Sequence, residues 1–135
     1  MAIFGSLGKY RNSGLLIIRL GLGAMFILHG YPKLLGGPDS WTSIGGAMQN
    51  IGIKFFPIFW GLMAALTETL GGFLLIIGLA FRPACLLLFF TMVIATLMHF
   101  SKGDDINVAS HAIEAGIVFL GLTFIGPGKY SVDKK

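Results

Sequence analysis

A histidine and a glutamate stand three residues apart in an otherwise apolar stretch near the end of the chain. The stretch is NVASHAIEAGIVFLGLTFIG, residues 107–126, and the two residues are His111 and Glu114. On a helix they share one face, one turn apart. Ionisable groups inside a bilayer are costly to insert and by default indicate a function. We therefore expect His111 and Glu114 to take part in chemistry rather than in folding alone.

Further ionisable residues occur in the other apolar segments. Arg19, His29 and Lys33 are spaced so that they lie on one helix face. At a rise of 1.5 Å per residue, the depths of these groups along their helices predict that most of them converge in the outer half of a bundle, with Arg19 beneath them. The predicted catalytic residues are His29, His111 and Glu114. The predicted ligand-binding residues are Arg19, Lys33, Glu68 and His99.

Each of these residues also has a structural interpretation. Arg19 and Glu68 are expected to form a buried ion pair, because a charge at a helix centre costs about 2.5–3.5 kcal/mol and needs a partner. Lys33 and His99 lie near enough to the interface to reach water. His29 could cap carbonyl groups before Pro32. His111 with Glu114 is the pair that folding does not require.

Three chemistries fit such a cluster. Histidines that titrate near neutral pH, beside a glutamate, suit a proton-coupled site. The same groups can hydrogen-bond and protonate the ring oxygens of a quinone. Two histidines and a carboxylate are also the ligand set of non-haem iron, and two histidines can hold a haem, but these are the weaker alternatives and no residue is assigned as a metal ligand. The single cysteine, Cys85, excludes a dithiol centre within the chain.

The composition identifies the class of protein. The chain has 135 residues, 55% of them hydrophobic and only 12% charged, whereas soluble domains are about 25% charged. This is the composition of an integral membrane protein, whose first partner is the lipid bilayer. The net charge of +4 comes from basic residues scattered at segment ends, which are topology signals, so no nucleic-acid partner is expected.

Four apolar segments predict a single domain over residues 1–135. They cover about residues 14–35, 55–81, 84–100 and 106–125, each near the length needed to span a bilayer. The fold class is therefore all-α, a four-helix transmembrane bundle with a short interfacial helix between the first two spans. Small residues recur every four positions at Gly61, Ala65 and Thr69 and predict close helix contact there. The bias of basic residues places both termini in the cytoplasm.

The order of these motifs is similar to that of the DoxX family of membrane proteins. LLIIRLGLGAMFILHGYPKLLGG resembles the family's first helix, and ALTETLGGFLLIIGLAFRPACLLLFFTMVIATLMHF resembles its second and third helices. The resemblance covers about residues 14–125. It singles out six positions: Arg19, His29, Lys33, Glu68, Arg82 and His99.

The resemblance implies a redox-linked protein of the prokaryotic inner membrane, because the family is named after subunits similar to those of thiosulfate:quinone oxidoreductase. The first functional expectation is a subunit of a membrane oxidoreductase that binds quinone or a similar acceptor in a polar pocket in the outer half of the bundle. The alternatives are a non-catalytic anchor or assembly subunit of a larger complex, and a small-solute carrier. Either of the first two is expected to work with a partner subunit or as a homo-oligomer.

Overall fold

The computed structural model describes residues 3–134, in which four helices are long and apolar enough to cross a membrane. They are α1 (Arg11–Leu35), α3 (Pro57–Ile77), α4 (Phe81–Ser101) and α5 (Ile106–Ile125), and the shorter α2 (Gly37–Gly45) stands between the first two. Short 3-10 segments precede α1 and follow α2, at Gly5–Tyr10 and Gly46–Ile51. The described residues contain no strand. The predicted all-α bundle is confirmed.

The two ends of the bundle are named by what lies there. At the α2 end, α1 leads into α2, and a turn joins α4 to α5. At the termini end, α1 begins, α5 ends and a tight turn joins α3 to α4. The C-terminal segment, residues 126–134, follows α5 at this end.

Two helix boundaries differ from the sequence prediction for identifiable reasons. The second span was predicted to run to residue 81, but α3 ends at Ile77 because Gly78 takes a left-handed φ of 71°. The third span was predicted from residue 84, but α4 begins at Phe81. Its first N–H groups, of Ala80 and Phe81, are capped by Asp133 at 3.1 and 2.8 Å. That cap comes from the far end of the chain, so the local sequence gives no sign of it.

Glycines set the contact between α1 and α3. A Cβ built on Gly23 would lie 2.5 Å from the carbonyl oxygen of Gly72, and one on Gly72 would lie 2.6 Å from that of Gly23. The two helices therefore cross with their backbones in contact, which small residues permit in membranes. This crossing fixes how α1 is rotated about its axis, and so which of its polar residues face α3.

Helix α2 packs against the first turns of α3. A side chain on Gly61 would overlap the backbone of Trp41 in α2, and Ala65 one turn on has no exposed surface. The predicted contact along the Gly61 row is thus confirmed. The Trp41 Nε1–H also donates to the Lys33 carbonyl at 3.2 Å, which ties α2 to the end of α1.

Helices α1 and α5 are neighbours only through large side chains. No Cα of α1 lies within 8 Å of a Cα of α5. Phe26 and Phe119, both almost completely buried, bridge the gap with ring centroids 4.9 Å apart. The edge-to-face contact is a favoured aromatic geometry. This seam is therefore wider than the contacts that α3 makes with α1.

The Arg19 guanidinium closes the C-terminus of α3. Its Nε donates to the Leu75 carbonyl at 2.8 Å and its Nη2 to the Ile76 carbonyl at 2.7 Å. Its Nη1 donates to the Tyr130 carbonyl at 2.8 Å in the C-terminal segment. The last carbonyls of a helix have no partner within the helix, and a cation is favourable beside them. Arg19 is only 1% exposed, so these bonds form inside the protein.

The predicted ion pair between Arg19 and Glu68 is wrong. Glu68 lies level with Gly30, since a Cβ on Gly30 would meet the Glu68 Cβ at 2.8 Å. Eleven residues of helix separate Gly30 from Arg19, which is about 16 Å at 1.5 Å per residue and beyond the reach of the side chain. Because α3 ends at Ile77, its free carbonyls lie beside Arg19 and take its hydrogen bonds instead.

The second arginine that the family resemblance singled out has the same kind of role. Arg82 Nη1 donates to the carbonyls of Thr123 and Phe124, at 2.9 and 2.8 Å, and so closes the C-terminus of α5. The C-terminal segment adds backbone bonds from Val132 to Ile77 at 3.1 Å. The termini end is thus a hydrogen-bonded floor.

We predict that Arg19→Leu lowers the free energy of unfolding by about 3 kcal/mol, because buried carbonyls lose charged donors. The C-terminal segment should also loosen, so trypsin should cut after Lys129 faster than in the unchanged protein. Thermal unfolding in detergent and timed proteolysis measure both effects. Arg11→Leu, at an exposed position of the same helix, is the control. Equal behaviour of the two variants would contradict the role given to Arg19.

Candidate functional site

The predicted site residues do not form one cluster. Lys33 pairs with Glu68, His29 meets His111, and His99 bonds Asp104 in the turn between α4 and α5. Glu114 has no hydrogen-bond or ion-pair partner among residues 3–134. The predicted convergence of all these groups on one pocket is therefore wrong. The sequence located each group along its helix but not the direction in which it points.

Lys33 and Glu68 form an ion pair that joins α1 to α3. Lys33 Nζ lies 3.0 and 3.1 Å from the two Glu68 carboxylate oxygens. The Glu68 side chain is 6% exposed and that of Lys33 is 41% exposed. Lys33 was expected to reach water, and its side chain does so in part, while its ammonium group also binds the Glu68 carboxylate. Glu68, near the middle of its span, needs that partner because nothing else neutralises it.

A cavity lies beside this ion pair, between α3 and α4, and α2 with its following 3-10 segment covers it at the α2 end. Its volume is about 370 Å³, which is within the usual range of small-molecule sites. We call it the α3/α4 cavity. Its polar lining is small and includes Lys33, Glu68 and the indole of Trp60, while three methionines, Met48, Met63 and Met98, contribute to the apolar remainder. Methionine side chains adapt to irregular ligands.

Trp60 adds an unused donor to this cavity. Its Nε1–H is buried and has no hydrogen-bond partner among the described residues. A buried polar group without a partner costs about 1–3 kcal/mol. The ring of Trp60 lines the cavity while its Nε1–H is covered by protein, so a ligand could supply the missing bond once the ring turns. Trp60 could not be predicted as a site residue from sequence, because a tryptophan one turn into a span is typical of the membrane interface.

The side of the cavity toward the membrane is formed by α4. Leu87 and Phe90 line the cavity and are 58% and 53% exposed on the surface of the isolated chain. A second groove, of about 250 Å³, lies between α4 and α5. Its hydroxyl, on Thr96, is already bonded to the Met92 carbonyl at 2.8 Å. Of these two spaces, the α3/α4 cavity is the one that combines apolar walls with charged groups.

His29 and His111 meet at the seam between α1 and α5, outside that cavity. Their ring centroids are 5.4 Å apart, and Phe26 contacts both rings, at 6.1 Å from His29 and 6.4 Å from His111. Both histidines and Glu114 are exposed on the isolated chain. His29 does not cap the end of α1, since the helix continues through Pro32 to Leu35. Within residues 3–134 no three His, Cys, Asp or Glu side chains are placed to hold a metal ion.

His99 holds a turn. Its Nδ1 lies 2.9 Å from an Asp104 carboxylate oxygen, and its carbonyl accepts from the Asp104 N–H at 3.0 Å. Asp105 then caps α5 by accepting from the Val108 N–H. His99 does not line the α3/α4 cavity, so the structure gives it a role in the turn.

Comparison with known proteins identifies the family. The sequence model of DoxX matches residues 14–101. The chain belongs to the DoxX family. Three similar proteins are an uncharacterized protein of Haemophilus influenzae (32% identical, covering 96% of both chains) and the Escherichia coli inner membrane proteins YphA (30%, covering 95% of this chain and 94% of YphA) and YqjF (28%, covering 93% and 94%). No solved structure matches.

The family match has two consequences for the site. The relatives that carry a descriptive name are inner membrane proteins, and with its four apolar spans this DoxX family member is an inner membrane protein too. The matched region contains Lys33, Trp60 and Glu68 but ends before α5. The resemblance predicted from sequence reached residue 125, whereas the family model ends at residue 101. His111 and Glu114 therefore lie beyond the part of the chain that the model matches.

We predict an asymmetry between the two halves of the ion pair. Lys33→Met should lower the free energy of unfolding by about 2–4 kcal/mol, because a buried carboxylate is left without a partner. Glu68→Gln should cost less, because the half-exposed Lys33 can turn toward water. Combining both changes should recover most of the loss.

Thermal unfolding of the purified variants measures the effect. Lys54→Met, which removes an exposed lysine at the same end of the bundle, is the matched control. Losses that simply add in the double variant would show that the two side chains do not interact.

Proposed function

We propose that this DoxX family member is a redox-linked subunit that binds a quinone, or an acceptor of similar shape and polarity, in the α3/α4 cavity. The observation that supports the proposal most is the Lys33–Glu68 ion pair, 3.0 Å between Nζ and Oε2, in the wall of an apolar cavity that Trp60 also lines. Apolar walls with a few placed polar groups are typical of cofactor sites.

The chemistry of a quinone fits these groups. A quinone is a flat apolar ring with two carbonyl oxygens that accept hydrogen bonds. The Lys33 ammonium group is a donor that such oxygens can use, and the Trp60 N–H is a second one if the ring turns toward the ligand. The exposed Leu87 and Phe90 lie where a lipid-soluble molecule would enter from the bilayer, without passing through water. Ligand binding would also remove the cost of the unsatisfied indole.

The role of this chain in the reaction is to hold the quinone and to move protons. Reduction of a quinone to a quinol takes up two electrons and two protons. With one cysteine in the chain, a dithiol of its own cannot supply the electrons, so we assign them to a partner oxidoreductase. Lys33 can donate one proton to each reduced oxygen in turn, and Glu68 stays beside the neutral amine while Lys33, which is part-exposed, takes up a proton from water after each transfer.

The sequence placed the catalytic groups elsewhere, at His29, His111 and Glu114. None of these residues lines the α3/α4 cavity. A quinone at the α1–α5 seam would instead contact the two histidine rings. The two sites therefore predict different sets of sensitive residues, and variants can separate them.

We predict that a short-chain quinone binds the purified protein in lipid nanodiscs, and that Glu68→Gln and Trp60→Phe each weaken binding about tenfold, which corresponds to about 1.4 kcal/mol. Glu114→Gln is the matched control for Glu68→Gln, since both replace an intramembrane glutamate. His111→Gln should likewise have little effect. Titration calorimetry gives the Kd of each variant, and thermal unfolding shows that each is folded.

A cavity-filling pair provides a second arm. Ala64→Phe places a ring in the α3/α4 cavity and should abolish binding, whereas Val93→Phe places one in the groove between α4 and α5 and should not. Weaker binding in the His111 and Glu114 variants, with Glu68→Gln unchanged, would move the site to the seam. Absence of binding in the unchanged protein would leave the assembly role as the better explanation.

A further inference from the structure

The exposed surface of α5 carries a carboxylate at a depth where the bilayer provides no hydrogen-bond donor or counter-charge. Glu114 is exposed on the isolated chain, eight residues into a helix of twenty. Val118, Gly121 and Ile125 follow it at four, seven and eleven residues, which places them on the same face. Val118 and Ile125 are 41% and 59% exposed, and a Cβ on Gly121 would contact nothing within 4 Å. We call these four residues the α5 stripe.

Glu114 does not satisfy itself within its own chain. His111 lies one turn away on the same helix, but no hydrogen bond joins the two side chains among the described residues. The His111 ring is turned toward His29 and Phe26 instead, and the residue remains exposed. In hydrocarbon an unpaired carboxylate is strongly unfavourable, so intramembrane acids almost always face a protein surface or water. The α5 stripe therefore has the character of a covered surface.

We propose that the α5 stripe and His111 form an interface with a second copy of this chain, in which the Glu114 of each copy bonds the His111 of the other. In a two-fold dimer the same patch occurs on both partners and must be complementary to itself. A patch with one acid and one base on adjacent turns meets that condition. A glycine in the stripe permits close approach of two helices.

A second copy fits this patch better than an unrelated protein does. A partner with only a basic residue would pair Glu114 but leave the exposed His111 without an acceptor. A second copy provides both groups at once, and its orientation in the bilayer is the same. The proposal does not depend on quinone binding, because no residue of the stripe lines the α3/α4 cavity.

Disulfide trapping in membranes tests the contact. Cys85, the chain's one cysteine, is buried with no exposed surface, so the unchanged protein should give no cross-link and serves as a baseline. Val118→Cys and Ile125→Cys should each give a covalent dimer when membranes are treated with a mild oxidant. Ile17→Cys is the control, since it is 71% exposed on α1 at a similar distance from the termini end.

Charge separation tests the pairing itself. In a Val118→Cys background, His111→Glu gives a patch with two acids and Glu114→His gives a patch with two bases. Each alone should lose at least five-fold in dimer yield. When the two chains carry different tags and are expressed together, a mixed dimer should form at near the original yield. Thermal unfolding of each variant shows that the monomers are folded.

Three results would overturn the proposal. The first is a dimer yield from Val118→Cys and Ile125→Cys no higher than that from Ile17→Cys. The second is a cross-link from the stripe to a different protein, which would make that protein the occupant. The third is a dimer that forms equally well in both charge variants expressed alone, which would show that Glu114 and His111 do not pair.

Discussion

The hydrocarbon core of a bilayer provides no water to polar groups, and this constraint governs where every charged side chain of the protein lies. Within the spans each charge needs a partner from the protein. Arg19 finds helix carbonyls, Lys33 and Glu68 find each other, and Glu114 finds no partner among the described residues. Arg19 closes the termini end of the bundle, and Lys33 with Glu68 forms part of a cavity wall. Glu114 leaves a polar surface, for which we propose a second copy of the chain as the partner.

The two ends of the bundle differ because of these pairings. At the termini end, two arginines and the C-terminal segment donate hydrogen bonds to the last carbonyls of α3 and α5. At the α2 end, α2 lies across the start of α3 and leaves a cavity between α3 and α4. The rigid contact of Gly23 with Gly72 holds α1 so that Lys33 reaches Glu68. The position of Lys33 and Glu68 in the wall of the α3/α4 cavity thus depends on a helix contact nearer the termini end.

The sequence predicted how deep each charged group lies along its helix, but not the direction in which its side chain points. The four spans and the short helix after the first were predictable, because hydrophobic length and breaks in it report them directly. The partner of Glu68 was not, because several helix rotations are compatible with one apolar sequence. The prediction chose Arg19, which lies about 16 Å too far along α1. It also extended α3 past Gly78, and this hid the free carbonyls that Arg19 in fact binds.

The roles of two residues could not be predicted from the sequence. Asp133 caps α4 from the C-terminal segment, fifty-two residues from Phe81 in sequence. Trp60 looked like an ordinary interfacial tryptophan, and only the folded structure shows that its N–H is buried and unpaired. By contrast, the polarity of His111 and Glu114 was evident from sequence. The sequence did not show that both residues are exposed and lie outside the α3/α4 cavity.

Photoaffinity mapping tests most directly whether the ligand space lies beside Lys33 and Glu68. An azidoquinone would be activated on the protein in nanodiscs, with and without excess unlabelled quinone, and the labelled peptides identified by mass spectrometry. We predict displaceable labelling of α3 and α4 near Trp60, Met63 and Met98. Displaceable labelling near His29 and His111, or labelling that excess quinone does not reduce, would contradict a quinone site in the α3/α4 cavity.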